Sequence, residues 1–273
     1  MGGFHIAMIF PAVIGKRFGD AGLQDVLIDS GVVGATAVHG VLSGKQYNRG
    51  LRCHKAMLEA FLRMQWRAFE SWLAEGEHFH LLADVCEALS SLRQSGFAPH
   101  VYRNLLVSQK CKALRTVFEQ FTAAQDMPLT KFWSSYISMV CLLLEFIRSS
   151  REGNWALHLS WIRQMLPWMF AYDRVNYCRY MSLYWCEMTA LSGSHPAAHR
   201  ELNNGEFCVQ RTAGSTFSQV AVDQCIEQTV YRHTKVKGGI IGFSQKPGAV
   251  QKWNGNVHPR CDNQGMQGNG WCD

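Results

Sequence analysis

The stretch LRCHKAMLEAFLRMQWRAFESWL, residues 51–73, decides the fold class of this chain. Its apolar residues recur at intervals of three and four, which is the period of a helix that buries one face. These residues are Leu51, Leu58, Phe61, Leu62, Phe69, Trp72 and Leu73. The charged residues lie off this stripe, and Glu59 stands four residues before Arg63, a favourable helical pair. The stretch therefore predicts an amphipathic helix that ends at Gly76.

The helical period continues through most of the chain, and glycine and proline mark where helices end. The further predicted helices cover residues 79–93, 101–124, 128–150, 154–172, 175–190, 196–203 and 217–233. Pro167 should kink or end the helix at 154–172. A strand is indicated before residue 215 only at FCVQR, residues 207–211. The pattern predicts a mainly α fold, an irregular multi-helix globular domain of seven to nine helices with a small C-terminal strand and loop element.

Changes of composition divide the chain into three predicted segments. Residues 1–204 form a helical domain, and residues 205–253 form a C-terminal helix and a basic, glycine-containing loop. Residues 254–273 contain no Leu, Ile or Phe and cannot bury an apolar face. This last segment is predicted to be a disordered tail or the product of a frameshift.

Composition limits the class of protein. Among 273 residues, 47% are hydrophobic and 18% are charged, which excludes a disordered chain. The net charge of +6 permits an anionic partner without requiring one. Six of the ten cysteines lie in apolar helical patterns, so we predict a reduced, intracellular protein of the nucleus or cytoplasm. The apolar stretch 136–144 is shorter than the roughly 20 residues that cross a bilayer, so no membrane partner is expected. The pattern does not indicate an oligomeric state.

Two basic tracts are candidates for binding DNA or RNA. Residues 88–118 contain no acid and five bases: Arg93, Arg103, Lys110, Lys112 and Arg115. Residues 229–253 also contain no acid, and their bases are Arg232, Lys235, Lys237, Lys246 and Lys252. The second tract adds glycines and aromatic residues. Lysines and glycine amides can hold phosphates, and aromatic rings can stack on bases. The alternative for both tracts is a solvated surface.

Two sets of residues have the spacing of metal ligands. Asp223 and Glu227 lie four residues apart, so they share one helix face and could help to hold a divalent metal. The alternative is that they are solvated or pair with nearby bases. His195 and His199 have the same spacing, and with Cys178 and Cys186 they give C-x7-C-x8-H-x3-H. Structural zinc sites usually have C-x2-4-C, so the two histidines are weak candidates and no cofactor is expected.

Four stretches carry a resemblance to a known group of proteins. They are residues 1–33, 42–55, 154–185 and 222–253, and the most specific parts are FAYDRVNYCRY at 170–180 and residues 223–242. Together they resemble multicopy proteins of mobile-element origin from aquatic animal genomes, over nearly all of residues 1–253. The layout of these proteins is distantly similar to that of RNase H-like transposases.

The resemblance implies roles for particular residues. Gly3-Phe4-His5 resembles the start of the helix that follows the second catalytic carboxylate, and residues 40–200 resemble a helical insertion. Glu227, or alternatively Asp223, would be the last catalytic acid. The first two carboxylates would then lie upstream of Met1, and a divalent metal would bind only in a complete parent site. The implied function is a non-catalytic fragment of a transposon-derived protein that binds nucleic acid. The alternative is a helical protein–protein interaction module.

Overall fold

The computed structural model describes residues 2–76, 80–96, 98–215, 217–229 and 231, and these residues are mainly α-helical. The predicted fold class is confirmed. Helix α1 (Gly3–Phe18) continues through a π-helical turn (Gly19–Leu23) into α2 (Gln24–Asp29). The other elements follow in chain order: α3 (Ala35–Leu42), α4 (Tyr47–Glu75), α5 (His80–Gln94), α6 (Pro99–Val107), α7 (Gln109–Ala124), α8 (Pro128–Glu152), α9 (Trp155–Ala171), α10 (Val175–Thr189), α11 (Leu191–Ser194), α12 (Pro196–Asn203), β1 (Cys208–Gln210), β2 (Gln219–Ala221) and α13 (Val222–Gln228).

Helices that end at strong local signals agree with the prediction. Helix α4 ends at Glu75, and Gly76 is its C-cap. Helix α12 begins with Pro196, because a proline at the first helical position removes an amide that has no helical partner there. Pro167 lies inside α9, which continues to Ala171.

Two predicted elements were wrong. The helix predicted at 101–124 is divided at Ser108, whose hydroxyl accepts a hydrogen bond of 3.2 Å from the Cys111 amide and caps α7. The helix predicted at 217–233 begins only at Val222. The residues before it, Gln219–Ala221, form an antiparallel pair with Cys208–Gln210, so strand pairing replaces the first predicted turn.

The fold divides into two compact units. The main unit comprises Ile6–Ser149 and Ala156–Ala190, and the smaller unit comprises residues 2–5, Ser150–Trp155 and the described residues from Leu191 onward. The chain thus enters the last part of the smaller unit at Leu191, ahead of the composition change at residue 204.

The main unit has two hydrophobic clusters. The larger one contains residues of α1 to α4 and α8 to α10, among them Phe10, Phe18, Met57, Tyr136, Phe146 and Met165. The smaller one contains Phe69, Leu73, Leu81, Val117 and Phe121. Helix α4 contributes to both, because Cys53, Met57 and Leu58 belong to the larger cluster and Phe69 and Leu73 to the smaller.

Helix α1 packs directly on the end of α3. A Cβ atom on Gly15 would lie 2.0 Å from the Leu42 carbonyl oxygen and 2.8 Å from its carbonyl carbon. Both contact atoms belong to the backbone, so no side-chain rotation could relieve the overlap. Glycine at position 15 is therefore required by this close approach.

Helix α8 contains the apolar stretch 136–144 and is longer than it. Its 25 residues are long and apolar enough to cross a membrane by length and composition. Its most deeply buried residues, Tyr136, Met139, Val140, Leu143 and Phe146, all belong to the larger hydrophobic cluster. This helix supplies a central part of the core of the main unit.

Candidate functional site

The side chain of Asp223, one of the two predicted acids, contacts the N-terminus of α1. Its Oδ1 atom accepts a hydrogen bond of 3.0 Å from the Phe4 amide, and its Oδ2 atom accepts one of 3.0 Å from the His5 amide. The His5 Nδ1 atom lies 2.8 Å from the same Oδ2. A carboxylate here accepts hydrogen bonds from amides that have no helical partner. Its negative charge is stabilised by the positive end of the helix dipole.

Gly2 makes room for this carboxylate. A Cβ atom at position 2 would lie 2.1 Å from Asp223 Oδ2, closer than any real contact. The sequence Gly2-Gly3-Phe4-His5 therefore combines a residue without a side chain, free amides and an imidazole around one acid. The resemblance assigns residues 3–5 and Asp223 to two different elements of one layout, and these residues are in contact in the structure.

The pairing of β1 with β2 positions Asp223. Strand β2 ends at Ala221, opposite Cys208 of β1, and α13 starts at the next residue, so Asp223 lies in its first turn. The side chain of Gln219 reaches Gly153 and Gly205, which have φ angles of +65° and +92°. A Cβ atom on Gly153 would lie 2.5 Å from Gln219 Oε1, so the glycine is required sterically as well as conformationally.

Cys208 is the most buried titratable group on this hairpin. Burial raises the pKa of its thiol to about 12, although a hydrogen bond with Ser150 acts in the opposite direction. The thiol is therefore protonated at neutral pH and is a weak nucleophile. Cys208 packs in the hairpin and contributes no reactive group to the Asp223 site.

Glu227 lies one turn beyond Asp223 on α13 and is half-buried. The predicted shared face is therefore present, but the two carboxylates have different surroundings, because Asp223 is bound to α1. Within the described ranges, no group of three His, Cys, Asp or Glu side chains is arranged to hold a metal ion. The acid pair alone would supply too few ligands for two catalytic metals.

The two candidate zinc histidines are on or next to α12. His195 is its N-cap, and the His199 ring nitrogens lie 3.1–3.2 Å from Nδ2 of Asn203. Both histidines belong to the smaller unit, whereas Cys178 and Cys186 belong to α10 of the main unit. In the part of the chain that the structure describes, these four residues do not form a metal-binding group.

The two basic tracts have different positions relative to the structure. Arg232, Lys235, Lys237, Lys246 and Lys252 lie outside the described residues. The first tract covers α6, most of α7 and the end of α5. Lys110 forms ion pairs with Asp84 at 2.8 Å and Glu87 at 3.0 Å. Arg93, Arg103, Lys112 and Arg115 are exposed and form no ion pair with any described carboxylate.

Sequence reasoning missed a buried polar pair in the core of the main unit. His54 is 1% exposed, and its Nδ1 atom lies 2.9 Å from the Tyr136 hydroxyl. Burial lowers the pKa of His54 to about 4 and raises that of Tyr136, so both groups are neutral at pH 7. His54 Nε2 is buried without a hydrogen-bond partner among the described residues. No local signal marks this pair, because the two residues are far apart in sequence.

Comparison with known families gives one match, which covers residues 1–263 and is described as Domain of unknown function (DUF8702). The chain belongs to this family. The match includes all four stretches that carry the mobile-element resemblance and continues into the first residues of the predicted tail segment. Neither the curated proteins nor the solved structures gave a match. The family description names no activity.

Proposed function

We propose that this chain is a protein of mobile-element descent that binds the phosphate backbone of nucleic acid and does not cleave it. The observation that carries the binding is the set of four exposed cations on α5 to α7: Arg93, Arg103, Lys112 and Arg115. They lie in a stretch of 31 residues, 88–118, that contains no acid. Cations without carboxylate partners are available to replace the counterions of nucleic acid.

The surroundings of Asp223 do not favour cleavage of a phosphodiester bond. Phosphoryl transfer with two metals requires several carboxylates that converge on the reacting phosphate. Asp223 instead accepts hydrogen bonds from two amides and contacts His5, and Glu227 is one turn away. The contact between His5 and Asp223 supports descent from an RNase H-like transposase. Because both oxygens of Asp223 already accept hydrogen bonds from α1, this carboxylate is poorly placed to act as a catalytic metal ligand.

Binding should depend steeply on salt. If four phosphates are neutralised, log K should fall with log[salt] at a slope of about −3.6, which is about a 150-fold loss between 50 and 200 mM NaCl. Fluorescence anisotropy of the full chain with a labelled DNA duplex measures this slope. Changing Arg93, Arg103, Lys112 and Arg115 together to Gln should reduce the magnitude of the salt slope by up to about 3.6. Any remaining slope would be attributed to the tract at 229–253.

Lys110→Gln and Lys112→Gln form a matched pair of control variants on one helix. Lys110 is already engaged by Asp84 and Glu87, so its loss should leave the salt slope nearly unchanged. Loss of Lys112 should reduce the slope by about one. A slope near zero for the unmodified chain, or equal effects of the two lysine substitutions, would contradict the proposed interface.

Cleavage is tested separately. Incubation of the full chain with supercoiled plasmid and Mg²⁺ or Mn²⁺ should leave the plasmid intact, because the described acids do not supply a two-metal site. Nicking that disappears in the Glu227→Ala variant would overturn the non-catalytic part of the proposal. The salt-dependent binding would stand or fall independently of this result.

A further inference from the structure

A groove runs along one face of α4 in the main unit. Its volume is about 660 Å³, and α7 and α8 contribute Phe118 and Leu144 to its lining. The α4 residues that line it extend from Lys55 to Glu70, which is about 22 Å along the helix axis. The groove borders both hydrophobic clusters, because its lining residue Leu58 belongs to the larger cluster and its lining residue Trp66 packs against the smaller.

The apolar lining is only partly covered by the protein itself. Leu58, Leu62 and Trp66 are spaced four residues apart and therefore form one row along α4. Leu58 is 8% exposed, but Leu62 is 43% exposed. The apolar stripe that predicted a continuously buried face is thus exposed at Leu62, whereas the neighbouring Phe61 packs against the larger cluster.

The charges around the groove are unbalanced in favour of cations. Glu59 accepts a hydrogen bond of 2.7 Å from Arg63, and Glu70 accepts one from the Trp66 indole. Arg63 neutralises Glu59, whereas the Trp66 indole leaves the charge of Glu70 in place, so the lining has a net charge of +1. Lys55 and Arg67 are exposed and form no ion pair with any carboxylate in the described ranges. A partner that complements this rim carries acidic residues.

We propose that the groove binds an acidic, amphipathic helix of a partner protein. A row of apolar side chains about 22 Å long matches the anchors of a helix of about 16 residues, whose leucines recur at three- and four-residue intervals. Acidic residues beside those anchors would meet Lys55 and Arg67. The inference goes beyond nucleic-acid binding, because it concerns different residues and an apolar partner surface.

The test uses two labelled helical peptides of about 16 residues as probes of the full chain. Both have the same row of leucines, and the flanking positions are glutamate in one and lysine in the other. By fluorescence anisotropy, the glutamate peptide should bind at least tenfold more tightly than the lysine peptide. Equal binding of the two peptides, or binding of neither, would overturn the proposal.

Two substitutions on α4 separate the groove from the rest of the helix. Leu62→Glu should weaken binding of the glutamate peptide at least tenfold, because it places a negative charge on the exposed part of the apolar row. Met64→Glu is the matched control, because Met64 is 65% exposed on the same helix and does not line the groove. Equal effects of the two substitutions would overturn the assignment of the site.

Charge reversal tests the charge preference of the groove, and competition tests the class of its ligand. The double variant Lys55→Glu with Arg67→Glu should reverse the preference, so that the lysine peptide binds more tightly. Circular dichroism checks that each variant retains its helix content. Displacement of the glutamate peptide by oligodeoxythymidine that persists when Arg93, Arg103, Lys112 and Arg115 are changed together to Gln would identify the groove as a nucleic-acid site and overturn the proposed partner.

Discussion

Replacement of Gly15 by alanine should destabilise the main unit by more than about 3 kcal/mol, beyond the usual range for an overpacked core. The added Cβ would lie 2.0 Å from the Leu42 carbonyl oxygen, so α1 and α3 would have to move apart. That separation would disturb the larger cluster, to which Ile14, Phe18, Val41 and Leu42 belong. Urea denaturation followed by circular dichroism measures the loss in the free energy of unfolding.

Gly50→Ala is the matched control for this substitution. Gly50 is also a buried glycine in a helix of the main unit, but its added Cβ would lie 3.4 Å from the Val41 carbonyl oxygen, an ordinary contact. Alanine should therefore be neutral there or stabilise the helix by up to about 1 kcal/mol. Similar midpoints for the two variants would show that α1 and α3 do not approach as closely as described.

The second large effect is a loss of stability in acid that depends on His54. Burial lowers the pKa of folded His54 from 6.5 to about 4, so the unfolded chain binds more protons between these values. The contribution of neutral His54 is complete above pH 6.5 and decreases as the pH falls towards 4. Over that interval it amounts to about 3 kcal/mol, at about 1.36 kcal/mol per pH unit.

His54→Gln removes the titrating group while keeping a side chain that can hydrogen bond with the Tyr136 hydroxyl. The variant should lose less stability than the unmodified chain when the pH is lowered from 7 to 4.5, as measured by urea denaturation at each pH. His39→Gln, at an exposed position on α3, is the control substitution for a histidine outside the core. Parallel stability curves for His54→Gln and the unmodified chain would contradict a buried, neutral His54.

The bounds of several helices followed from local signals in the sequence. Pro196 acts through its own backbone preference, so the start of α12 needed no tertiary information. Gly76 marked the end of α4 in the sequence, although its backbone there is extended. The break between α6 and α7 at Ser108 could not be predicted in this way, because neither glycine nor proline marks it and the apolar pattern continues across it. Strand β2 has only three residues, and its conformation depends on pairing with Cys208–Gln210. Periodicity cannot report such a pairing.

The candidate sites differ in how far the sequence could reveal them. The spacing of Asp223 and Glu227 was visible, but the cap on α1 joins residues more than 200 positions apart. The family resemblance placed residues 3–5 after a different carboxylate, upstream of Met1, and did not pair His5 with Asp223. The groove was hidden because Leu62 fits the apolar stripe of α4 as well as any buried residue does. Its exposure depends on the positions of α7 and α8, which no local pattern determines.

Helix α4 is a mechanical link between the two hydrophobic clusters of the main unit. Its packed residues continue from Met57 and Phe61 in the larger cluster to Trp66 and Phe69 in the smaller, and the groove runs beside them. A displacement of one cluster must therefore bend or move α4, which also packs in the other cluster. A molecule bound in the groove would contact α4 between these two clusters, so occupation of the groove would couple their stabilities.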